Sequence, residues 1–369
     1  MTILLFVGVL FVLILVHEFG HFIVAKRTGM RVDEFGIGFP PKLFGIKKGE
    51  TEYTLNALPI GGFVRIYGED AVNATDEEDD GRAFVQRSKI SQALVLVAGV
   101  AMNVLFAWFL FTAVLMTGTL SIVDEKEASN SAALKVLSVV PDSPAERAGL
   151  IPGDTIVAIT DATSEDNRDR GVPALLPSEV SRFIADGGAI TLSLKNGELM
   201  REVRLTPEGG YAQDGSAREV IGVTMGLVEK VSLPMHKAMY ESTVMTFTGL
   251  RDITVGIAVI LKGALTLNAD LSQVAGPVGI VSLVGDAASF GFSTLLMFTA
   301  FISLNLAVIN LLPFPALDGG RLLFVAVEAV RGTTIKPQVA YMLNLLGFAL
   351  LMLFMIAVTY NDIVRIIAG

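Results

Sequence analysis

Two histidines four residues apart, His17 and His21, flank Glu18 in an apolar run that begins at Ile3 and meets no positive charge until Lys26. On a helix that spacing puts both imidazoles on one face, where they can hold a single zinc ion, with the glutamate beside them to take a proton from metal-bound water. The competing reading is a buried polar cluster without metal. Two imidazoles and a carboxylate in hydrocarbon are costly, however, and such groups mark functional sites by default. A catalytic zinc wants three protein ligands and an open fourth position. The best-placed third donor is Asp318, which follows Asn310-Leu311-Leu312-Pro313-Phe314-Pro315-Ala316-Leu317 at the end of a later apolar stretch. Two prolines in three residues break a helix, and broken backbone at membrane depth is tolerated only where it is buried in protein or lines a water-filled cavity.

The elements that must carry these groups are membrane helices. Hydrophobic residues make up 52% of the chain and charged residues only 18%, and the mean hydropathy of +0.60 places the protein in a bilayer. Uncharged stretches cover 93–123, 287–317 and 337–361, each long enough for a hydrocarbon core that needs about 20 residues. With the first segment they make four spans. A cleaved signal peptide is the alternative for that segment, but it opens without Lys or Arg, lacks a small-residue cleavage pattern and carries the two histidines itself. The stretch 236–267 reads differently, because Lys237, Glu241, Arg251, Asp252 and Lys262 interrupt it at roughly helical spacing. It is expected as an amphipathic helix on the interface, since Arg251 and Asp252 near the bilayer centre would cost about 5 kcal/mol together.

Basic residues set the expected orientation. Lys26, Arg27 and Arg31 follow the first span, Arg87 and Lys89 precede the second, and Arg321, Arg331 and Lys336 separate the last two. By the positive-inside rule these loops are cytoplasmic and the long polar insert between the second and third spans is extracytoplasmic. His236 then lies across the membrane from the other two histidines and is not expected as a ligand. The acidic run 76–80 is read as a solvated loop, and no nucleic-acid partner is expected of a chain with net charge −9. Zero cysteines exclude disulfides and thiolate metal sites.

The insert, 128–228, alternates short apolar runs with Gly, Pro, Asp and Asn turns. Its Ser143-Pro144-Ala145-Glu146-Arg147-Ala148-Gly149-Leu150 and Pro152-Gly153-Asp154 resemble the PDZ domains of bacterial envelope proteases, an α+β fold that binds peptide ends by adding a strand to a sheet edge. A folded spacer acting as a steric gate remains the alternative. Four regions are therefore expected: a membrane core over 1–127, the insert, an interfacial segment over 229–285, and a second membrane core over 286–369.

The buried HExxH and the later Asn-x-x-Pro-x-Pro-x-Leu-Asp-Gly-Gly together resemble the site-2 protease family of intramembrane zinc metalloproteases, in particular its bacterial RseP type, the regulator of sigma-E protease. Further matches are Gly36-Ile37-Gly38-Phe39-Pro40, Ala57-Leu58-Pro59-Ile60-Gly61-Gly62-Phe63-Val64, Ala98-Gly99 to Asn103, and Gly276-Pro277-Val278-Gly279-Ile280, so the resemblance covers nearly the whole chain. It implies that His17, His21 and Asp318 bind Zn2+, that Glu18 is the catalytic base and that Asn310 lies near the substrate backbone. It also implies a multi-pass protein of the bacterial inner membrane, with the active site near the cytoplasmic side and the PDZ domain in the periplasm. The implied substrates are single-span membrane proteins, such as an anti-sigma factor already shortened by another protease, or remnant signal peptides. The best-known members carry two tandem PDZ domains, whereas this insert has room for one. Within 35–67, Leu43-Phe44-Gly45-Ile46 and Thr51 to Leu58 flank a Lys47-Lys48-Gly49-Glu50 turn and read as a β-hairpin. Family members place a membrane-associated sheet here, and its strand through Thr54 and Leu55 is the expected pairing edge for an unwound substrate; a cytosolic hairpin packed against the protein is the alternative. A transporter or channel with a structural metal is the competing function, since it too uses broken helices. It has no need of a glutamate between two zinc-binding histidines.

Overall fold

The computed structural model describes residues 2–69, 81–126, 128–129, 131–161, 176–185, 188–197, 199–209, 219–266 and 275–368. The acidic run 76–80 lies outside them. The chain divides into two compact units, one of Met1–Val114 with Pro234–Gly369 and the other of Leu115–Leu233.

In the first unit, α1 (Thr2–Arg27) is followed by the long strands β1 (Val32–Lys48) and β2 (Thr51–Ile66) and by α2 (Lys89–Thr117). After the second unit come α5 (Met235–Leu265), α6 (Pro277–Ser289), α7 (Phe292–Leu311), α8 (Asp318–Arg331) and α9 (Pro337–Ala368). Among the described residues five helices, α1, α2, α5, α7 and α9, are long and apolar enough to cross a membrane by length and composition. The protein is thus polytopic, and α5 is the helix by which that number exceeds the four spans expected. The outward faces are apolar, as lipid contact requires: α9 exposes Met342, Leu346, Leu353 and Ile356.

Three packed clusters tie these helices together. Leu13 of α1 meets Val284, Leu295 and Ile302 of α6 and α7, while Ala107 and Phe111 of α2 meet Ile253 of α5 and Ala300 and Leu304 of α7. Ala25, Met30, Ile66, Val95 and Val325 join the end of α1 to the sheet, α2 and α8. Hydroxyls and an indole supply the polar cross-links that apolar surroundings leave no water to satisfy. Thr112 Oγ1 lies 2.7 Å from Ser242 Oγ, Trp108 Nε1 donates to Thr243 Oγ1 at 3.0 Å, and Ser303 Oγ donates to the Asn103 carbonyl at 2.8 Å.

The sheet departs from a simple hairpin. Residues 51–56 pair with 42–48, as Thr54 with Gly45 and Leu55 with Phe44, and the same stretch is flanked on its other side by 34–37, as Thr54 with Gly36 and Leu55 with Ile37. The segment 62–66 then pairs with 32–37. Thr54 and Leu55 therefore sit on an interior strand with both flanks occupied, and their backbone has no free side for a substrate. The outer strands are 42–48 and 62–66. Glu50 anchors the turn: Arg82 grips it at 2.6 and 2.8 Å and Lys26 of α1 at 2.6 Å. Arg82 and then Lys26 hold its carboxyl down at about 2.

The second unit is a six-stranded sheet in the order β3-β8-β4-β5-β6-β7, formed by Thr119–Val123, Val223–Val231, Ala133–Val139, Thr155–Asp161, Ile190–Asn196 and Leu199–Leu205. Its core of Leu134, Val136, Ile156, Leu192 and Leu194 is closed by Ala145 of α3 (Pro144–Arg147) and by Val180 and Ile184 of α4 (Pro177–Ala185). The Ser-Pro-Ala-Glu sequence is a helix start: Ser143 Oγ accepts from the Glu146 N–H at 3.3 Å, and Glu146 reaches back to the Asp142 N–H at 2.6 Å. Fully buried Asp154 closes the Pro-Gly-Asp turn by accepting from the Ile151 N–H and from Asn196 and Arg201. β3 and the end of β8 extend this unit past 128–228, because β3 pairs with residues 227–231 of β8.

A buried carboxylate explains Gly276-Pro277-Val278-Gly279. Asp362 of α9, 2% exposed, accepts from the Gly276 N–H at 3.2 Å and from the Gly279 N–H at 2.8 Å, so it caps α6 from a neighbouring helix. A Cβ at Gly276 would lie 2.7 Å from that carboxylate. Asp362→Ala leaves these amides unpaired and is expected to destabilise the membrane unit by about 1–3 kcal/mol. Denaturation in mixed micelles measures it; an unchanged midpoint would show that α6 needs no cap from α9.

Candidate metal centre

Helical spacing brings His17 and His21 to one face of α1, and both are 8% exposed. Asp318 arrives from the other half of the membrane unit. α7 stops at Leu311, the chain runs irregularly through Pro313 and Pro315 with Ala316 at φ 76°, and Asp318 opens α8. Asn344 of α9 accepts from the Ala316 N–H at 3.3 Å and steadies this segment. Gly319 and Gly320 allow the break to fold tightly, since a Cβ on either would lie 2.2 Å from the carbonyl oxygens of Leu312 or Phe314.

The result is a triangle of donors. His17 Nε2 and His21 Nε2 are 3.2 Å apart, and Asp318 Oδ2 lies 3.0 Å from the first and 3.3 Å from the second. Ligands about 2.1 Å from a tetrahedral zinc stand roughly 3.4 Å from one another. The three atoms therefore fit one zinc ion, with a fourth position left for water or substrate. His21 Nδ1 donates to the Val95 carbonyl at 2.8 Å, which leaves the Nε2 lone pair free for the metal. Gly99 of α2 makes the room: a Cβ there would sit 2.4 Å from His21 Nε2 and 2.7 Å from His17 Cε1. His236 is exposed on the first turn of α5 and, among the described residues, belongs to no such group.

Two cavities share Glu18 and Asp318. One, about 300 Å3, is largely polar and is lined by His21, by 63–66 of β2 and by Glu69 and Arg321, which form an ion pair. The other, about 330 Å3, is lined by His17, Asn103, Leu306, Asn310 and Leu317. Asn310 lines the second cavity, while Thr54 and Leu55 line neither. Residues 63–66, Glu69, Arg321 and Asn103 were not read as site residues from sequence. Spacing alone marks none of them, because each reaches the site through the fold.

The profile of peptidase family M50 matches residues 5–354. The chain belongs to that family, the site-2 proteases. Zinc metalloprotease RasP of Oceanobacillus iheyensis is 31% identical over 450 residues, covering 99% of each chain, and RasP of Geobacillus kaustophilus is 31% identical over 436 residues, covering 98% of this chain and 97% of its own. A Clostridium perfringens protein that also carries the name of a zinc metalloprotease is 38% identical over 359 residues, 95% of each chain. The chain is accordingly an intramembrane zinc metalloprotease, and an M50 peptidase needs its metal reached by water and by a peptide bond.

Gly99→Ala is expected to drop zinc well below one ion per chain, because its methyl group would occupy the imidazoles' space. Gly8→Ala, which meets nothing within 4 Å, should keep full zinc. Elemental analysis of both purified proteins decides, and full zinc in Gly99→Ala would disprove the cradle.

Proposed function

We propose that the protein hydrolyses peptide bonds in or near the transmembrane segment of single-span membrane proteins, with His17, His21 and Asp318 holding zinc and Glu18 as the base. The convergence of three donor atoms from α1 and α8 within about 3.3 Å of one another carries this reading. Zinc held there would supply Lewis acidity to a water and to the scissile carbonyl. Glu18 is the residue that takes a proton from the attacking water and delivers it to the leaving amine. The two cavities, one with Glu69 and Arg321 and the other with Asn310, give water and the substrate backbone their access to Glu18. A helical substrate hides its peptide bonds in its own hydrogen bonds, so it must be held extended. The outer strand 62–66, part of which lines the polar cavity, is the edge suited to pairing with it, in place of the strand through Thr54 and Leu55.

The substrates are read as anti-sigma factors already shortened by another protease, or remnant signal peptides, in a bacterial inner membrane. The basic residues at the ends of α1, α2 and α8 favour a metal centre near the cytoplasmic face. α1 and α7 both run toward that centre and α2 starts beside it, with Val95 at His21. The chain between α2 and α7 must then cross the bilayer an even number of times. α6 has 13 residues, too few to span, and its two ends pack near Asp362 and Thr2, both remote from the metal centre. A crossing by α5 would have no partner, which favours α5 on the interface with its exposed Arg251–Asp252 pair in the headgroups.

Leu115–Leu233 is read as a single PDZ domain on the periplasmic side that screens substrates and takes no part in bond cleavage. Its motif turns and its β8, flanked by strands β3 and β4, suit that fold; all three donor residues belong to the other unit.

Glu18→Gln is expected to lower cleavage of a model transmembrane substrate by about 10²–10⁴-fold while keeping one zinc per chain. Asp318→Ala should lose both zinc and activity. Activity retained by Glu18→Gln, or full zinc in Asp318→Ala, would each remove that residue from its role. Replacing the insert by a flexible linker should allow cleavage of uncut substrates that the intact enzyme rejects. A linker variant that binds zinc yet cuts neither uncut nor shortened substrates would refute the screening role.

A further inference from the structure

Asn103 is fully buried on α2 and faces His17, its Nδ2 standing 3.3 Å from His17 Nδ1. Its Oδ1 is buried without a hydrogen-bond partner, a condition shared by only one other side-chain atom among the described residues. A buried polar atom left unpaired is destabilising, so this orphan calls for a partner. The ring opposite supplies one. His17 Nε2 points at His21 Nε2 and Asp318 Oδ2 and is the nitrogen that offers a lone pair to the metal. A neutral imidazole with its lone pair at Nε2 carries its proton on Nδ1, where it must donate. An amide nitrogen cannot accept that proton. An amide oxygen can, and a half-turn of the side-chain amide exchanges the two atoms with little change in shape.

Resting on the ligand assignment above, we infer that Asn103 is a positioning residue for the zinc site, its Oδ1 accepting a hydrogen bond from His17 Nδ1–H and fixing the ring in its metal-binding tautomer. It does for His17 what the Val95 carbonyl does for His21. The residues on α2 that serve the two histidines are Val95, Gly99 and Asn103, four apart, which on a helix form one stripe. The stripe runs carbonyl, bare backbone, amide, against His21 and His17 of the antiparallel α1. Ser303 of α7 holds the Asn103 backbone carbonyl at 2.8 Å and keeps the amide at the height of the ring.

The test reads zinc rather than cleavage. Asn103→Ala should weaken zinc binding by about 10–100-fold, the usual loss when such an outer partner is removed, measured by residual zinc across a series of chelator concentrations. Asn103→Asp should stay close to the parent, because a carboxylate accepts the same hydrogen bond. The parent gives an independent readout, since with three histidines in the chain ring-¹⁵N labelling yields three imidazole spin systems. With Zn2+ bound, His17 should show a protonated, exchange-protected Nδ1 and an unprotonated Nε2. A protonated Nε2 on His17, equal zinc retention by parent and Asn103→Ala, or equal loss by the Asp and Ala variants would each overturn the inference while leaving the ligand set standing. A parent that binds no zinc would overturn the ligand set itself. Should Asn103→Ala fail to fold, the parent spectrum and the Asp variant still decide.

Discussion

Everything in the membrane unit answers to one close approach, that of α2 to the histidine face of α1. Two imidazoles in an apolar helix need partners for every ring nitrogen, and no water is present in hydrocarbon to supply them. Gly20 of α1 has no room for a Cβ, which would lie 2.4 Å from the Ala98 carbonyl, and Gly99 of α2 has none because of the imidazoles. These two glycines let the backbones approach closely enough for the Val95 carbonyl to reach His21. Had either position carried a side chain, the helices would stand apart and the rings would face lipid unpaired. Small residues at a helix contact are common in membranes for packing reasons; here they also set the height of the two imidazoles.

Asp318 depends on a different device. It comes from backbone that stops being helical at Leu311 and resumes at Asp318, and the break is folded tightly: the Phe314 carbonyl accepts from the Leu317 N–H at 3.1 Å. Glycines let neighbouring turns close on it, Gly320 against the Phe314 carbonyl and Gly347 of α9 against that of Pro315. This explains why α9 belongs to the site without lending it a ligand. Its Asn344 and Gly347 hold the break from outside, and its Asp362 caps α6, which packs on α1 in turn. The third donor is thereby fixed relative to the first two through helices rather than through a flexible loop, as a metal centre requires.

Much of this was legible in the sequence because membrane chemistry penalises polar groups so heavily that each intramembrane His, Glu or Asp announces a role. His17, Glu18, His21, Asp318 and the span positions of α1, α2, α7 and α9 follow from that rule and from length. The sheet was less legible. Alternating apolar residues give strands over 43–58, yet periodicity carries no information on which flank of a strand is free. The register turned 51–56 into an interior strand and left 62–66 outside. Asn103 is visible in the sequence only as a motif residue, since an asparagine in an apolar helix has several meanings until the ring it faces is known. Arg321 and Glu69, 252 residues apart, meet only through the fold.

The placing of Glu18 where both cavities meet follows from the same helix that places the histidines. A residue next to His17 on a helix is turned about 100° away from it, so the carboxylate cannot join both imidazoles around the metal and is left at the rim. There it touches the polar cavity on one side and the Asn310 cavity on the other. A carboxylate in that position is open to both cavities without moving its backbone. The adjacency of Glu18 to His17 therefore brings one carboxylate to both cavities beside the donor triangle.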